Sequence, residues 1–371
     1  MPKGQQIFSN LKSNGDLVLS IQDVDVSDPK PNEVVVEVQA APINPSDMWP
    51  MFSASDLSQA KLSDDGLTLT APVQKSWVPR FKSRLDQELP VGNEGAGVVI
   101  AAGDSPEAQS LIGKTVAILS GSAFAQYSKV PLHMVLPHNE GVTAKQAAAS
   151  FVNPLTALGM VETMRMEGHK ALVHTAAASN LGQMLNKICQ ADGVDLVNIV
   201  RKQEQVDILK DLGAKYIVNS SADTYHADLY KAILATGATL AFDATGGGTL
   251  ASDILTAMEA VGSKDAVGLN TYGSLHMKQV YLYGGLDMSP TTLNRAYGMT
   301  WAVGGWLLMN FIGKAGPEKT MQLRQRVADE ITTTFASHFT NDISLTDVLK
   351  PEVIAEYNAK RTGEKYCVIP S

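Results

Sequence analysis

Two adjacent cations, Arg201 and Lys202, follow an apolar run, Val194 to Val200, that reads as a buried strand. Upstream lies a second apolar run, Ala171-Leu172-Val173, and after it a turn of very small residues, Ala176-Ala177-Ala178-Ser179-Asn180. Leu181, Met184, Leu185 and Ile188 then recur at i, i+3, i+4 and i+7, which puts them on one helical face. Strand, tight turn, helix and strand in this order form a βαβ unit. Small residues at such a turn let backbone N–H groups approach a pyrophosphate. The helix start adds unpaired amides and a positive dipole end. The usual fingerprint is G-x-G-x-x-G. Here it reads Ala177-x-Ser179-x-x-Gly182, with Asn180 and Leu181 as the intervening pair. Only the third glycine is kept, where the helix packs on the strand. A buried βαβ unit with no ligand could use the same small residues.

The end of the second strand decides between these readings. A site for NAD usually carries Asp or Glu there, accepting from the ribose 2′-hydroxyl. Arg201 and Lys202 instead suit a 2′-phosphate, because Arg makes forked, charge-assisted bonds to phosphate oxygens. Taken alone, the two cations are better explained as solvated residues opening a helix. Beside the small-residue turn they point to NADP(H).

The surrounding chain must hold this unit in place. With 371 residues there is room for two domains of ordinary size, and 44% hydrophobic with 18% charged residues suffices for a buried core. A net charge of −8, without a Lys/Arg cluster, argues against nucleic acid as a partner. The two cysteines, Cys189 and Cys367, are far apart and suggest neither a disulfide framework nor a zinc ribbon, which fits a cytoplasmic setting. The N-terminus lacks the apolar core of a signal peptide. Ala296 to Gly313 is uncharged and nearly long enough to span a membrane, but contains Asn310, Thr300 and several glycines. It reads as a buried helix or a subunit-interface segment.

Residues 1–150 read as β-rich, with strands at Val34–Val38, Gly95–Ile100 and Lys114–Ile118. Phe52 to Leu89 is polar and aperiodic and reads as a long loop or inserted hairpin. Beyond residue 150, strands and helices alternate. The expected strands are Ala171–Thr175, Val194–Val200, Lys215–Asn219, Thr239–Asp243 and Ala266–Asn270, and Ala222–Ala235 is an intervening helix. This is the pattern of a doubly wound parallel sheet. Thr245 and Gly246 follow a strand at its C-terminal end, where ligands gather in such sheets. A long helix near Met321 to Phe339 and a strand at Lys365–Ile369 close the chain.

The ordered set Ala41-Pro42-Ile43-Asn44-Pro45-Ser46-Asp47, Gly92-Asn93-Glu94-Gly95-Ala96-Gly97, Val152-Asn153-Pro154-Leu155-Thr156-Ala157, the βαβ core and Phe242-Asp243-Ala244-Thr245-Gly246-Gly247 resembles the medium-chain dehydrogenase/reductase superfamily. Within it, the chain is similar to the zinc-lacking quinone oxidoreductase and 2-enoyl thioester reductase branches. The resemblance implies an α/β protein with a β-rich GroES-like catalytic domain over 1–150 and a Rossmann cofactor-binding domain over 151–288. Residues 289–371 would form an interface segment and a return to the catalytic domain.

The resemblance also bears on the chemistry. Where the superfamily's alcohol dehydrogenases have a zinc-binding His, this chain has Asn93, and the cysteine expected in the first motif is absent. A tetrahedral zinc site is therefore not expected, and Asp47 and Glu94 read as braces of the fold. Without zinc, the fitting acceptors are those already activated for hydride: quinones and alkenes conjugated to a carbonyl. The thioester reductases place a tyrosine shortly after the first motif, but this chain has none between Asp47 and Gln126. By resemblance, Asn44 and Thr156 lie near the nicotinamide, although each is also a natural turn or helix-start residue. Trp49, Trp77 and Phe124 are candidate substrate-wall aromatics, although core or loop packing is the commoner use of each taken singly. His174 reads as a buried, hydrogen-bonded residue and Cys189 as inert. The expected protein is an NADPH-dependent reductase of a small-molecule substrate. It would be a homodimer without a membrane segment, pairing through Trp301, Trp306 and Leu307. An enoyl thioester reductase, and an NADPH-binding structural or sensing protein, are the alternatives.

Overall fold

The valine-rich run over Glu33–Pro42 is buried because it is paired along both edges. It pairs antiparallel with Glu94–Ala102, Tyr127–Pro131 and Tyr366–Val368. Gly97 is required at one crossing, since a Cβ there would sit 1.8 Å from the Glu37 carbonyl oxygen. These strands belong to a computed structural model that describes residues 2–370 and resolves into two units. One comprises the chain up to Val152 together with Arg324 onward; the other is Asn153–Leu323.

The first unit also holds the hairpin Lys3–Leu11/Asp16–Asp25. The stretch Phe52 to Leu89 adds the short hairpin Lys61–Leu62/Thr68–Pro72 to the free side of Asp16–Asp25. Phe81 and Leu69 from this insertion enter the same core as Leu17 and Leu19. Arg84 pins the insertion down by donating to the Ser9 and Ser53 hydroxyls at 3.0 and 2.7 Å.

The second unit is built on six parallel strands: β1 (Ala171–Thr175), β2 (Asp195–Val200), β3 (Tyr216–Asn219), β4 (Leu240–Asp243), β5 (Lys278–Leu282) and β6 (Trp301–Gly305). Their order is β3-β2-β1-β4-β5-β6. The sheet is doubly wound: the chain moves outward from β1, then returns to lay β4 on the other side of it. The helices are α1 (Val152–Met166), α2 (Asn180–Asp192), α3 (Gln203–Asp211), α4 (Tyr225–Thr236), α5 (Leu250–Gly262) and α6 (Leu308–Glu330). Val173, Val197, Ala241 and Val280 form the centre of a core with Leu229 of α4 and Ile254 of α5. A separate two-stranded ribbon joins Gly246–Gly248 to Asp287–Thr291.

Three expected elements differ. Ala266–Asn270 is irregular, with Val267 and Leu269 98% and 96% exposed. The strand lies later, at β5, whose opening Lys278-Gln279 has a polar look. Lys278 is buried there because Glu259 of α5 meets it at 2.7 Å, with the Ser274 hydroxyl 2.8 Å away. Burial raises the Glu259 pKa, but hydrogen bonds from Lys278, Ser263 and Ser274 outweigh it and hold the carboxyl down at about 2. Second, Ala296–Gly313 is not one helix, because it supplies edge strand β6 before α6 begins. Third, the last long helix starts at Leu308 and ends at Glu330 rather than reaching Phe339. It is broken at Gly316 (φ 82°, ψ 171°), just before Pro317, and the β-branched run Ile331–Thr334 follows its end.

Lys278→Met strands the Glu259 carboxylate without its cation, and loss of one member of a buried pair costs about 3–5 kcal/mol. Thermal denaturation should show that loss for Lys278→Met, and a smaller one for the double variant Lys278→Met/Glu259→Leu. Equal melting of Lys278→Met and the wild type would refute the role of the pair.

Candidate functional site

The carboxyl ends of β1, β2 and β4 carry most of the residues the sequence singled out. After Thr175 the chain turns at Ala176, which takes a left-handed φ of 50° without being glycine. Ala177 is fully buried. The Ser179 hydroxyl accepts from the Gly182 N–H at 3.1 Å and so caps α2. Asn180 and Leu181 open that helix, and Leu181 is buried. A Cβ on Gly182 would lie 2.2 Å from the Ala177 carbonyl oxygen, so no larger residue fits where the helix crosses the turn. The three positions of the altered fingerprint thus serve as a buried small residue, a helix cap and a close-packing glycine.

At the end of β2, Arg201 and Lys202 are both exposed. Their backbone N–H groups donate to the Gln205 side-chain oxygen at 2.9 and 3.2 Å, which fixes the chain there and leaves the two cationic heads outward. The Asp287 carboxyl of the small ribbon is held below its ordinary range by Ser289 first, with the charge of Arg201 a lesser cause.

At the end of β4, Asp243 is fully buried. Its Oδ1 accepts from the Thr175 hydroxyl at 2.7 Å and the Thr245 N–H at 2.8 Å, and its Oδ2 from the Gly246 N–H at 3.2 Å. Thr175 Oγ1 in turn accepts from the Ala244 N–H at 2.8 Å. Sequence reasoning singled out Thr245 and Gly246 but not the two side chains that hold them. The available signal was a hydroxyl and an acid closing two otherwise apolar strands. His174 faces the opposite way from Thr175 and shares a hydrogen with the Tyr283 hydroxyl at 2.8 Å. Burial holds its ring down at about 3, so it stays neutral at physiological pH. Thr156 lies buried on α1.

In the first unit, Asn44 is 1% exposed and both ends of its amide are engaged. Its Nδ2 donates to Glu94 Oε1 at 2.8 Å, and its Oδ1 accepts from Lys365 Nζ at 3.1 Å. The other Glu94 oxygen accepts the N–H groups of Phe151 and Val152 at 2.8 and 3.0 Å. Asp47 accepts from the backbone of Asn44 and of Asn93, each at 2.8 Å. Burial raises the Asp47 carboxyl to about 7 and also raises Glu94, while burial lowers Lys365. Lys365 was expected only as a strand residue; nothing in its local sequence marks it as the buried cation of this cluster.

Of the aromatics, Trp49 is 48% exposed and packs edge-on to half-buried Trp77 and tilted against Phe81, with Arg80 4.4 Å over the Trp77 ring. Phe124 is fully buried in the core of its unit, where its side chain packs against the Gly92 backbone. It is a core residue rather than a substrate wall. Trp306 also turns inward, donating to the Thr163 hydroxyl at 3.1 Å and stacking on Phe311.

The family model described as zinc-binding dehydrogenase matches residues 181–302, all within the second unit. The match begins at Leu181 near the start of α2 and ends at Ala302 within β6. Over these residues the chain is similar to that family. It is 31% identical to the Schizosaccharomyces pombe "Probable quinone oxidoreductase" over 44% of this chain and 50% of that one. It is 28% identical to the mitochondrial enoyl-[acyl-carrier-protein] reductase of Xenopus tropicalis over 54% and 52%. The chain thus spans about half the length of these relatives. The solved complex of Etr1p with NADP and crotonyl-CoA shares the fold over 100% of both chains, at TM-score 0.69 and 19% identity.

Zinc, the metal in that family's description, finds no fitting donor set. Asn93 offers an amide, which donates to Ser46 at 3.0 Å, and the Asp47 and Glu94 oxygens are taken by hydrogen-bond donors. Cys189 and Cys367 are buried free thiols, and burial raises both to about 12. Among the described residues, no three His, Cys, Asp or Glu side chains are grouped to hold a metal.

The Asp47 pKa is raised above its unfolded value, so the folded chain binds the extra proton between about pH 4 and pH 7. The stability this group contributes is full below that window and is lost as pH rises through it. Asp47→Asn should remove that slope, which is at most about 1.4 kcal/mol per pH unit. Urea titrations of both proteins across the window test this; parallel pH profiles would refute it.

Proposed function

We propose that this protein is a cytoplasmic, zinc-independent reductase that uses NADPH to reduce a quinone or an α,β-unsaturated carbonyl compound. The observation that carries the reading is the outward-facing pair Arg201-Lys202 at the end of β2, following a small-residue turn closed by Gly182. Those residues would hold a 2′-phosphate and a pyrophosphate, with Ala177, Ser179, Asn180, Leu181, Thr245 and Gly246 supplying the close backbone. NADPH, when bound, supplies the hydride. The two halves of the chain take the roles of catalytic and cofactor-binding domains.

Removing the proton of an alcohol, with pKa near ~16, calls for a metal or a strong base. The donor set described above offers neither, and His174 is neutral and buried. Acceptors already conjugated to a carbonyl need only orientation and stabilisation of the developing oxyanion. Asn44 is the proposed contact for the nicotinamide carboxamide, and Thr156 is a second candidate by resemblance alone. Asn44 suits that task because Glu94 and Lys365 hold opposite ends of its amide and fix which end is which. The half-exposed Trp49, with Trp77 beside it, is the proposed apolar wall for the acceptor. The names of the relatives support both quinone and enoyl thioester acceptors, so both belong in the test.

Stopped-flow measurement of NADPH oxidation should show turnover with quinones or enals. Arg201→Ala should raise the Kd for NADPH by roughly tenfold or more, the loss of one charged hydrogen-bond partner, and leave NADH nearly unchanged. Turnover with enoyl thioesters alone would select the alternative reductase. Equal losses for both cofactors would remove the 2′-phosphate assignment.

We also propose a homodimer. β6 is the outer strand of its sheet, and no strand pairs with its free edge among the described residues. Beside it, Leu307 and Met299 are 60% and 74% exposed. An open edge flanked by apolar side chains calls for cover, and a two-fold axis lets the same edge meet itself. Because Trp306 and Phe311 pack within their own unit, Leu307 is the better probe. Light scattering should report a dimer that Leu307→Glu converts to a folded monomer; a monomeric wild type would end the proposal.

A further inference from the structure

The order β3-β2-β1-β4-β5-β6 puts the reversal of winding between β1 and β4. In open α/β sheets, ligands enter the crevice outside the carboxyl ends of the two strands at that point. Thr175 is the last residue of β1 and Asp243 the last of β4. The Thr175 hydroxyl donates to Asp243 Oδ1 at 2.7 Å, so a single side-chain hydrogen bond spans the two strand ends.

The register makes this bond more than a local contact. Backbone pairing between β1 and β4 covers Leu172 to His174 and stops one residue short of Thr175. Beyond that point the side chains take over. Thr175 Oγ1 accepts the Ala244 N–H at 2.8 Å, and Asp243 accepts the N–H groups of Thr245 and Gly246 at 2.8 and 3.2 Å. Three successive amides of the turn after β4 are therefore oriented by two side chains, both fully buried. Gly246 in turn takes a left-handed φ of 80°, and its carbonyl accepts from the Thr291 hydroxyl at 2.6 Å, which joins the turn to the small ribbon.

We infer that Thr175 and Asp243 are positioning residues for the cofactor: their hydrogen bond sets the separation of the two strand ends and the aim of the turn at Thr245-Gly246. Neither need touch the nucleotide. The inference rests on the reading of the second unit as the NADPH site. A hydroxyl is essential to it, because only a group that both donates and accepts satisfies Asp243 and the Ala244 N–H together. Valine keeps the shape of threonine and loses both bonds, whereas serine keeps both.

The test uses the full chain. NADPH is titrated by its fluorescence into wild type, Thr175→Val, Thr175→Ser and Asp243→Asn, well below the melting temperature of each. Thr175→Val and Asp243→Asn should each weaken NADPH at least about tenfold, and Thr175→Ser should recover most of the affinity. Thr175→Val that melts lower but binds NADPH like the wild type would show a role in stability alone and overturn the inference. The same holds if Thr175→Ser is as weak as Thr175→Val. Should Thr175→Val fail to fold, Asp243→Asn against the wild type decides by the same criterion. A wild type that binds no NADPH overturns the functional reading and this inference with it; a wild type that binds, with variants that bind equally, overturns the inference alone.

Discussion

A carboxylate taken out of water must be met by donors, and much of this molecule is arranged around that requirement. Asp243 meets it with a hydroxyl and two backbone N–H groups, and so organises the turn after β4. Glu94 meets it with an amide and two backbone N–H groups, and so ties Asn44 to the backbone of Phe151 and Val152 within the first unit. Glu259 meets it with an ammonium and two serines, and so sets the beginning of β5. In each case at least one donor comes from elsewhere in the sequence: Thr175 is 68 residues from Asp243, Asn44 is 50 from Glu94 and Ser274 is 15 from Glu259. The cost of leaving any one of them unpaired is what makes the geometry specific.

That explains what the sequence disclosed and what it withheld. Apolar periodicity and small-residue turns are local, so β1, β2, α2 and the turn between them could be read directly. The place of the cation pair was equally legible, because it depends only on where β2 ends. Lys278 and Lys365 were not, since a lysine is read as solvated until its partner is known. β5 was misplaced for this reason: Val267 and Leu269 looked more like a strand than Lys278-Gln279, and only Glu259 reverses the preference. The break of α6 could have been foreseen at Gly316-Pro317, where a helix loses both a favourable φ and a hydrogen bond.

The site shows the same division. Asn44 could be named from its motif, but its locked amide follows from Glu94 and Lys365, one 50 residues away and the other 321. Phe124 looked like a wall because aromatics are large and often line pockets, yet the glycine-lined backbone at Gly92 draws it into the core. The altered fingerprint is informative in the opposite sense. Ala and Ser replace two glycines, and the left-handed residue of the turn is Ala176, one position ahead of the pattern. The turn tolerates that strain because the hydrogen bond from Ser179 N–H to the Ala176 carbonyl and the cap on α2 close it from the far side.

The two buried thiols bear on the compounds such an enzyme would handle. Quinones and enals are electrophiles that alkylate thiolates. Cys189 and Cys367 are buried, and burial raises both thiols to about 12, which keeps them protonated at neutral pH. The chain carries no other cysteine. On the proposed reading, an enzyme meeting such acceptors would present them with almost no thiolate, and inactivation by them would have to proceed through slower amine or imidazole chemistry.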